Sequence, residues 1–406
     1  MRSRLALFSQ GFASSLAISA VPSSATRFCS ARRLWRRLTA SLIHAIGASL
    51  QTKPSSNGAG RRTHLHERGH RPSARHFNQE EKMAQDARVR GYHHVTFCVG
   101  SAQEDYDFHV KALGLRLGKK TVLFDGQEPI YHLYYGNGSG DEGTLLTSFP
   151  MSWRPRGQRG SGQVTSITLS APAGSLSFWK QRLTNHGYHT EYIERFGERR
   201  VVFDHPAGIE YEIMESVSSE PSPWTGAGVD GEVAIRSIGA VTVSARDIPE
   251  FDAFLKDGMG FAQIASDGPH YRYAIDDGTS GKILEVLHEP EMPQGTWTFA
   301  QGVVHHIAFD MGDRQTQQNL KLHLEGLGFT DVSEPKDRNY FTSVYFRTPA
   351  GVLFEAAVTN EGGWLKDETL DSLGDKILLP PWLESERGNI IPRLEPIVAE
   401  PAILAD

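Results

Sequence analysis

Two histidine doublets carry the residues best able to do chemistry: His93-His94 in GYHHVTF and His305-His306 in VVHHIAF. Neutral imidazole is both a metal ligand and a proton carrier near neutral pH. Each doublet opens a short alternating segment that reads as a strand, where side chains two apart share a face. His94, Thr96 and Cys98 are then expected on one face, with Val95, Phe97 and Val99 on the other. The second doublet repeats the pattern, with His306, Ala308 and Asp310 set against Ile307, Phe309 and Met311. Matched doublets in matched contexts call for a repeated framework to bring them together.

That framework is visible from Met83 onward as four copies of one unit, with a period of about 70 residues. Each copy reads as a strand, an amphipathic helix and further strands, the last of which starts at a glycine. The helices end in the pairs Gly114-Leu115, Gly187-Tyr188, Gly260-Phe261 and Gly328-Phe329. The last-strand glycines are Gly143, Gly208, Gly281 and Gly351. A glycine just past a helix supplies the left-handed cap that other residues resist. Ser101 and Glu104 have capping-box spacing at the first helix, with Tyr106, Val110 and Leu113 on one face; Phe251, Phe254 and Leu255 serve the third. One copy cannot bury its own sheet face, so the copies should pair into curved sheets around a cavity. The expected fold class is α+β, four βαβββ modules forming two paired curved-sheet barrels.

Aligned on their glycines, the copies place His94, Ser166, Ala240 and His306 at one equivalent position. Four residues after the last-strand glycine stand Thr147, Glu212, Glu285 and Glu355. At this position only copies one and four offer histidine, so these two should face each other and contribute His94, His306 and Glu355 to one metal ion. Copies two and three would bring Glu212 and Glu285 together without imidazole, a site expected to be empty. Two histidines and one carboxylate with no fourth protein ligand form the facial triad of non-haem Fe(II) enzymes that activate oxygen. A carboxylate in place of Thr147 would instead have favoured a closed octahedral lyase site.

At 406 residues, with a formal net charge of −6 and 22% charged residues, the chain has the composition of an ordinary soluble protein. It shows no basic stripe for nucleic acid and no apolar run of membrane-spanning length. Its two cysteines, Cys29 and Cys98, imply no disulfide framework. The first acidic residue is Glu67, and the preceding segment is rich in Arg and Ser, as in a mitochondrial transit peptide. The alternative is translated upstream DNA. Gln79-Glu80-Glu81-Lys82 can be encoded by a purine-rich bacterial ribosome-binding site directly before Met83, and this reading is favoured because residues 50–75 lack an amphipathic pattern. The expected organisation is a leader at 1–82, modules one and two at 88–216, a Pro/Ser/Gly-rich linker at 217–231, modules three and four at 232–360, and a tail at 361–406. A cytoplasmic location is expected, or a mitochondrial one if the leader is a genuine transit peptide.

The fourfold βαβββ pattern resembles the vicinal oxygen chelate superfamily, which includes glyoxalase I, extradiol dioxygenases and antibiotic-resistance proteins. More narrowly, residues 91–360 are similar to the hydroquinone ring-cleaving dioxygenases. The segments that carry this resemblance include HHVTFCVGSAQEDYDF, PIYHLYYG, GTWTFAQGVVHHIAF and RNYFTSVYFRTPAGVLFEA. Carried over by position, the family's iron ligands fall on His94, His306 and Glu355. The resemblance further implies active-site roles for His93, Thr96, His305, Arg338 and Tyr345, and none for residues of copies two and three. On their residue types alone, His93 and His305 could equally pack on the outer sheet face, and Arg338 could be a solvated turn residue. His132 could line the pocket or be a satisfied strand histidine.

The implied reaction joins dioxygen to a small aromatic diol bound through one phenolate oxygen, and opens the ring. A hydroquinone cannot chelate one ion with both hydroxyls, so the distal hydroxyl needs protein partners, for which Arg338, Tyr345 or a histidine are suited. Fe(II) is the expected cofactor and Mn(II) the alternative; a homo-oligomer is possible. The competing readings are a glyoxalase-like lyase or isomerase, which needs a fourth protein ligand, and a drug-sequestering binding protein, which needs none. A catechol substrate remains within the dioxygenase class, although catechol enzymes of this fold typically take both histidines from the second half, where this chain has Ala240.

Overall fold

The structure, a computed structural model, describes residues 88–123, 128–216, 222 and 224–399. The leader 1–82 and linker positions 217–221 and 223 lie outside the described residues. Four βαβββ units follow one another. The first comprises β1 (Gly91–Val99), α1 (Ala102–Tyr106), β2 (Arg116–Val122), β3 (Tyr131–Gly136) and β4 (Leu145–Pro150). The second comprises β5 (Val164–Pro172), α2 (Leu176–Asn185), β6 (Glu191–Arg195), β7 (Glu198–Asp204) and β8 (Glu210–Ser216). The third has β9 (Ser237–Ala245), α3 (Ile248–Ala253), β10 (Ala262–Asp267), β11 (His270–Ala274) and β12 (Ile283–His288). The fourth has β13 (Val303–Asp310), α4 (Arg314–Gly326), β14 (Lys336–Asp337), β15 (Phe341–Arg347) and β16 (Leu353–Thr359).

The strands form two sheets of eight, ordered β14-β15-β16-β13-β1-β4-β3-β2 and β10-β11-β12-β9-β5-β8-β7-β6. Each sheet takes one unit from each half of the chain. Unit one joins unit four through the antiparallel pair β1–β13, and unit two joins unit three through β5–β9. The outward-facing alternate residues of both sheets merge with the helices in one apolar core, in which Val95, Phe97, Ile167, Val241, Ile307 and Phe354 are fully buried.

The helix ends follow the glycine pattern: Gly114, Gly187, Gly260 and Gly328 all have positive φ. The first helix departs from a regular amphipathic helix. Ser101 caps α1 as expected, accepting from the amides of Gln103 and Glu104, but after Tyr106 the chain widens into a π-helical segment, Asp107–Ala112. The third unit does the same at Phe254–Gly258. The wider turn buries both Phe108 and His109, which are adjacent in sequence, against unit two. Beyond β16, Leu378 donates to the Lys120 carbonyl, so the tail runs beside the edge strand β2. Lys119 is buried against Asp367, Glu368 and the Trp364 carbonyl, and Glu395 caps α1 through Ser101 Oγ and the Ala102 amide. No helix among the described residues is long and apolar enough to cross a membrane.

Candidate metal centre

Strand register assembles the centre. His94 on β1 and Glu355 on β16 are both paired with Ala308 on the intervening β13, and His306 lies two residues before Ala308 on the same face. Ala308 is small enough to leave room between its flanking ligands. His94 Nε2 lies 3.0 Å from His306 Nε2 and 3.8 Å from Glu355 Oε2, and His306 Nε2 lies 3.0 Å from the same oxygen. All three side chains are buried.

Several features make this trio a fit for a divalent cation. Glu355 Oε1 accepts from Ser343 Oγ at 2.6 Å, whereas Oε2 is buried without an aligned hydrogen bond despite its proximity to His306. Burial alone would raise the Glu355 carboxyl, but the facing His306 and His94 hold it well below the usual carboxylate range. Burial drives His94 well below the ordinary imidazole value, leaving its ring neutral. A neutral imidazole ligating through Nε2 must carry its proton on Nδ1, and here each Nδ1 has an acceptor: His93 Nδ1 is 2.8 Å from His94 Nδ1, and His305 Nδ1 is 2.7 Å from His306 Nδ1. Two imidazole nitrogens and one carboxylate oxygen therefore converge on one point.

The doublets can do this because of two β-bulges. The β1–β13 register steps from Tyr92↔Phe309 to His94↔Ala308, and again from Thr96↔His306 to Phe97↔Val304, so His93 and His305 are each the extra residue. A bulge re-aims its side chain, and neither histidine is left on the opposite face. The His93 and His94 rings both lie against Phe341, with centroids 5.3 and 5.1 Å away. His305 stacks on Phe299 with centroids 4.6 Å apart, and burial lowers it to about 3.

Above the centre opens a cavity of about 220 Å³, lined by His94, Leu123, His132, Phe149, Phe299, His305, His306, Lys336, Arg338, Phe341, Tyr345 and Leu353. Its walls are largely aromatic, and its size suits a single ring. Arg338 Nε donates to Tyr345 OH at 3.3 Å, and the Tyr345 ring meets His306 edge-on at 5.7 Å. Burial raises the Tyr345 phenol, so it remains a hydrogen-bond donor at neutral pH. Thr96 Oγ1 is 2.8 Å from His306 Nε2 and 2.7 Å from Thr147 Oγ1; Thr147 in turn meets His132 Nε2 at 3.1 Å, and His132 Nδ1 meets Tyr134 OH at 2.7 Å.

Every candidate is thus at or beside the centre: His94, His306 and Glu355 together, His93 and His305 behind the two ligand imidazoles, Thr96 beside His306, and Arg338 and Tyr345 on the cavity wall. Sequence reasoning missed Ser343, the partner of Glu355, although Phe341, Ser343 and Tyr345 alternate onto one face of β15. The role of His132 was left open by its sequence context; it lines the cavity.

The equivalent place in the other sheet is filled differently. Glu212 and Glu285 are buried and bridged by the Arg200 guanidinium at 2.6 Å to each, with Arg195 2.7 Å from Glu212 and Arg272 2.8 Å from Glu285. Internal guanidinium groups balance these carboxylates.

No protein-family model matches the sequence. A chlorohydroquinone/hydroquinone 1,2-dioxygenase of Sphingobium indicum is 41% identical over 316 residues, covering 77% of this chain and 98% of that protein. MhqO of Bacillus subtilis, which is named among the ring-cleaving dioxygenases, is 37% identical over 303 residues, covering 75% of this chain and 95% of its own. A crystal structure of a Bacillus subtilis protein titled as a dioxygenase superposes with a TM-score of 0.72 at 36% identity, over 77% of this chain and 98% of that one. A maize glyoxalase I mutant, at 13% identity and a TM-score of 0.52 over 69% and 96% of the chains, shares the fold. The chain belongs to the ring-cleaving dioxygenases built on the vicinal oxygen chelate fold.

Proposed function

We propose that this enzyme cleaves the ring of hydroquinones, with Fe(II) held by His94, His306 and Glu355, and with Mn(II) as the alternative ion. The observation that carries the reading is the cavity's layout: a three-ligand centre at its floor, aromatic walls, and the Arg338–Tyr345 pair within it. An ion held by these three residues would supply Lewis-acid and oxygen-activating chemistry beside the cavity.

The protein's own residues account for the rest. Phe149, Phe299 and Phe341 line the cavity and offer an apolar aromatic surface to a substrate ring. A para-diol reaches the ion with only one hydroxyl, and Arg338 and Tyr345 are placed to receive the other. The cationic guanidinium stabilises negative charge delocalised toward that oxygen, as a preorganised donor does elsewhere. His305 accepts from His306 at Nδ1, so its own proton sits on Nε2, from which the neutral ring can donate a hydrogen bond to a substrate oxygen. Thr96 and Thr147 provide hydroxyl donors beside the ion. The second-sheet carboxylates Glu212 and Glu285, already paired with arginine, have no part in the reaction.

The test is oxygen uptake by iron-loaded protein with a panel of substituted hydroquinones and catechols, together with isotope-labelled dioxygen. Uptake with hydroquinones and both labelled atoms in the product is expected. Uptake confined to catechols would overturn the substrate, and anaerobic turnover of a hemithioacetal would move the protein to lyase chemistry.

A further inference from the structure

A chain of hydrogen bonds connects His94 to a carboxylate at the protein surface. Glu142, an exposed residue in the β3–β4 turn, accepts from Thr359 Oγ1 at 2.5 Å. Thr359 ends β16, and its Oγ1 lies 3.0 Å from His93 Nε2. His93 Nδ1 lies 2.8 Å from His94 Nδ1.

An ionised carboxylate only accepts, and a hydroxyl has a single hydrogen. With that hydrogen committed to Glu142, Thr359 must accept from His93, which places the His93 proton on Nε2. His93 Nδ1 is then a lone pair and must accept from His94 Nδ1–H. The His94 proton is thereby fixed on Nδ1, and its Nε2 lone pair points at His306 and Glu355. The opposite tautomer of the pair, with the His93 proton on Nδ1, would put the single His94 proton on Nε2 and spoil it as a ligand. It would also leave the Thr359 oxygen without its donor. The other doublet differs: His305 meets His306 through Nδ1 and its ring lines the cavity.

We infer that Glu142 and Thr359 are positioning residues for the metal centre, acting through His93 to hold His94 in its ligating tautomer. This rests on the metal reading given above. Outer partners of ligating histidines commonly change metal affinity by ten- to a hundredfold.

The experiment is Mn(II) binding to the metal-free protein by competition with a chelator, so the readout is an affinity and not turnover. Thr359→Val should weaken Mn(II) binding on the order of tenfold, with Thr359→Ser restoring it because the hydroxyl is retained. Glu142→Ala should weaken it several-fold, roughly half the effect on a logarithmic scale. Glu361→Gln, which removes an exposed charge close by in sequence and outside the relay, should leave it unchanged. Failure of the parent protein to bind Mn(II) would dismiss the metal reading itself. Tight binding by the parent, with equal binding by Glu142→Ala, would overturn the relay alone. Glu142 is exposed, so that variant decides the matter even if Thr359→Val does not fold. Equal losses in Thr359→Val and Thr359→Ser would also overturn it, since the hydroxyl would then not be the cause.

Discussion

Thr147 Oγ1 lies 2.7 Å from Thr96 Oγ1, on the strand position equivalent to Glu355 in unit four. A hydroxyl thus stands where a fourth carboxylate ligand would complete the ion's protein shell, and it is tied to Thr96 and His132 instead. On the proposed metal reading, the centre keeps an unligated side for that reason. Thr147→Glu is expected to bind divalent metal more tightly than the parent and to lose oxygen uptake. Parallel titration of metal affinity and oxygen consumption would check this; tighter binding with undiminished uptake would show that the side facing Thr147 is not where chemistry occurs.

The ligands should separate cleanly from the equivalent carboxylates of the other sheet. His94→Ala, His306→Ala and Glu355→Ala should each lose both the metal and turnover. Glu212→Gln should keep the metal, because its carboxylate faces Arg200 and Arg195. Elemental analysis after dialysis reads the result directly. Stoichiometric metal in Glu355→Ala would contradict the assignment.

Arg338→Ala and Tyr345→Phe should retain the metal yet turn over more slowly. If each acts as a single preorganised donor to charge that develops in the reaction, the loss is on the order of a hundredfold. The fall should appear in turnover at saturating substrate. A change confined to the Michaelis constant would assign them to ground-state binding alone.

Stability should respond to pH through Glu210. Burial first, and then the nearby Glu212, raise this carboxyl to about 7. A folded-state pKa above the unfolded value means that the group favours folding below about 4.5 and that this contribution is lost as pH rises to about 7. Glu210→Gln should therefore gain stability over the parent progressively from pH 4.5 to 7, and melting curves across that range would show it. A constant difference would mean that Glu210 is solvated in the folded protein.

Much of the site could be read from residue types because the repeat is regular. The glycines aligned the copies, histidine occurred at the ligand position in only two of them, and those two form one sheet. The doublets' first histidines could not be placed in this way. Strict alternation puts His93 and His305 on the opposite face, and only the bulges, which depend on pairing between strands 200 residues apart, turn them toward their neighbours. The chemistry of the second sheet was equally hidden. Glu212 and Glu285 announce a carboxylate pair, but Arg200 and Arg272 sit on strands whose inward face emerges only from register. Ser343 was missed for a simpler reason: serine on a strand has no spacing that marks it as a carboxylate's partner. The buried ion pairs of Lys119 with the tail likewise join segments whose proximity local sequence does not encode.

The seam between β1 and β13 also has a consequence for how the chain is made. His94 and His306 are 212 positions apart, and β13, the strand that flanks β1 opposite β4, arrives only with unit four. Units two and three can complete their sheet while the ribosome is still adding residues beyond β12. During that interval β1 has β4 on one side and lacks β13 on the other, so an apolar strand keeps an open edge that invites pairing with another chain. Bringing together contacts this distant in sequence is also intrinsically slow. A nascent chain stalled before Val303 would therefore expose an adhesive strand and carry only His94 of the trio, and the arrival of the fourth unit both covers the strand and completes the trio.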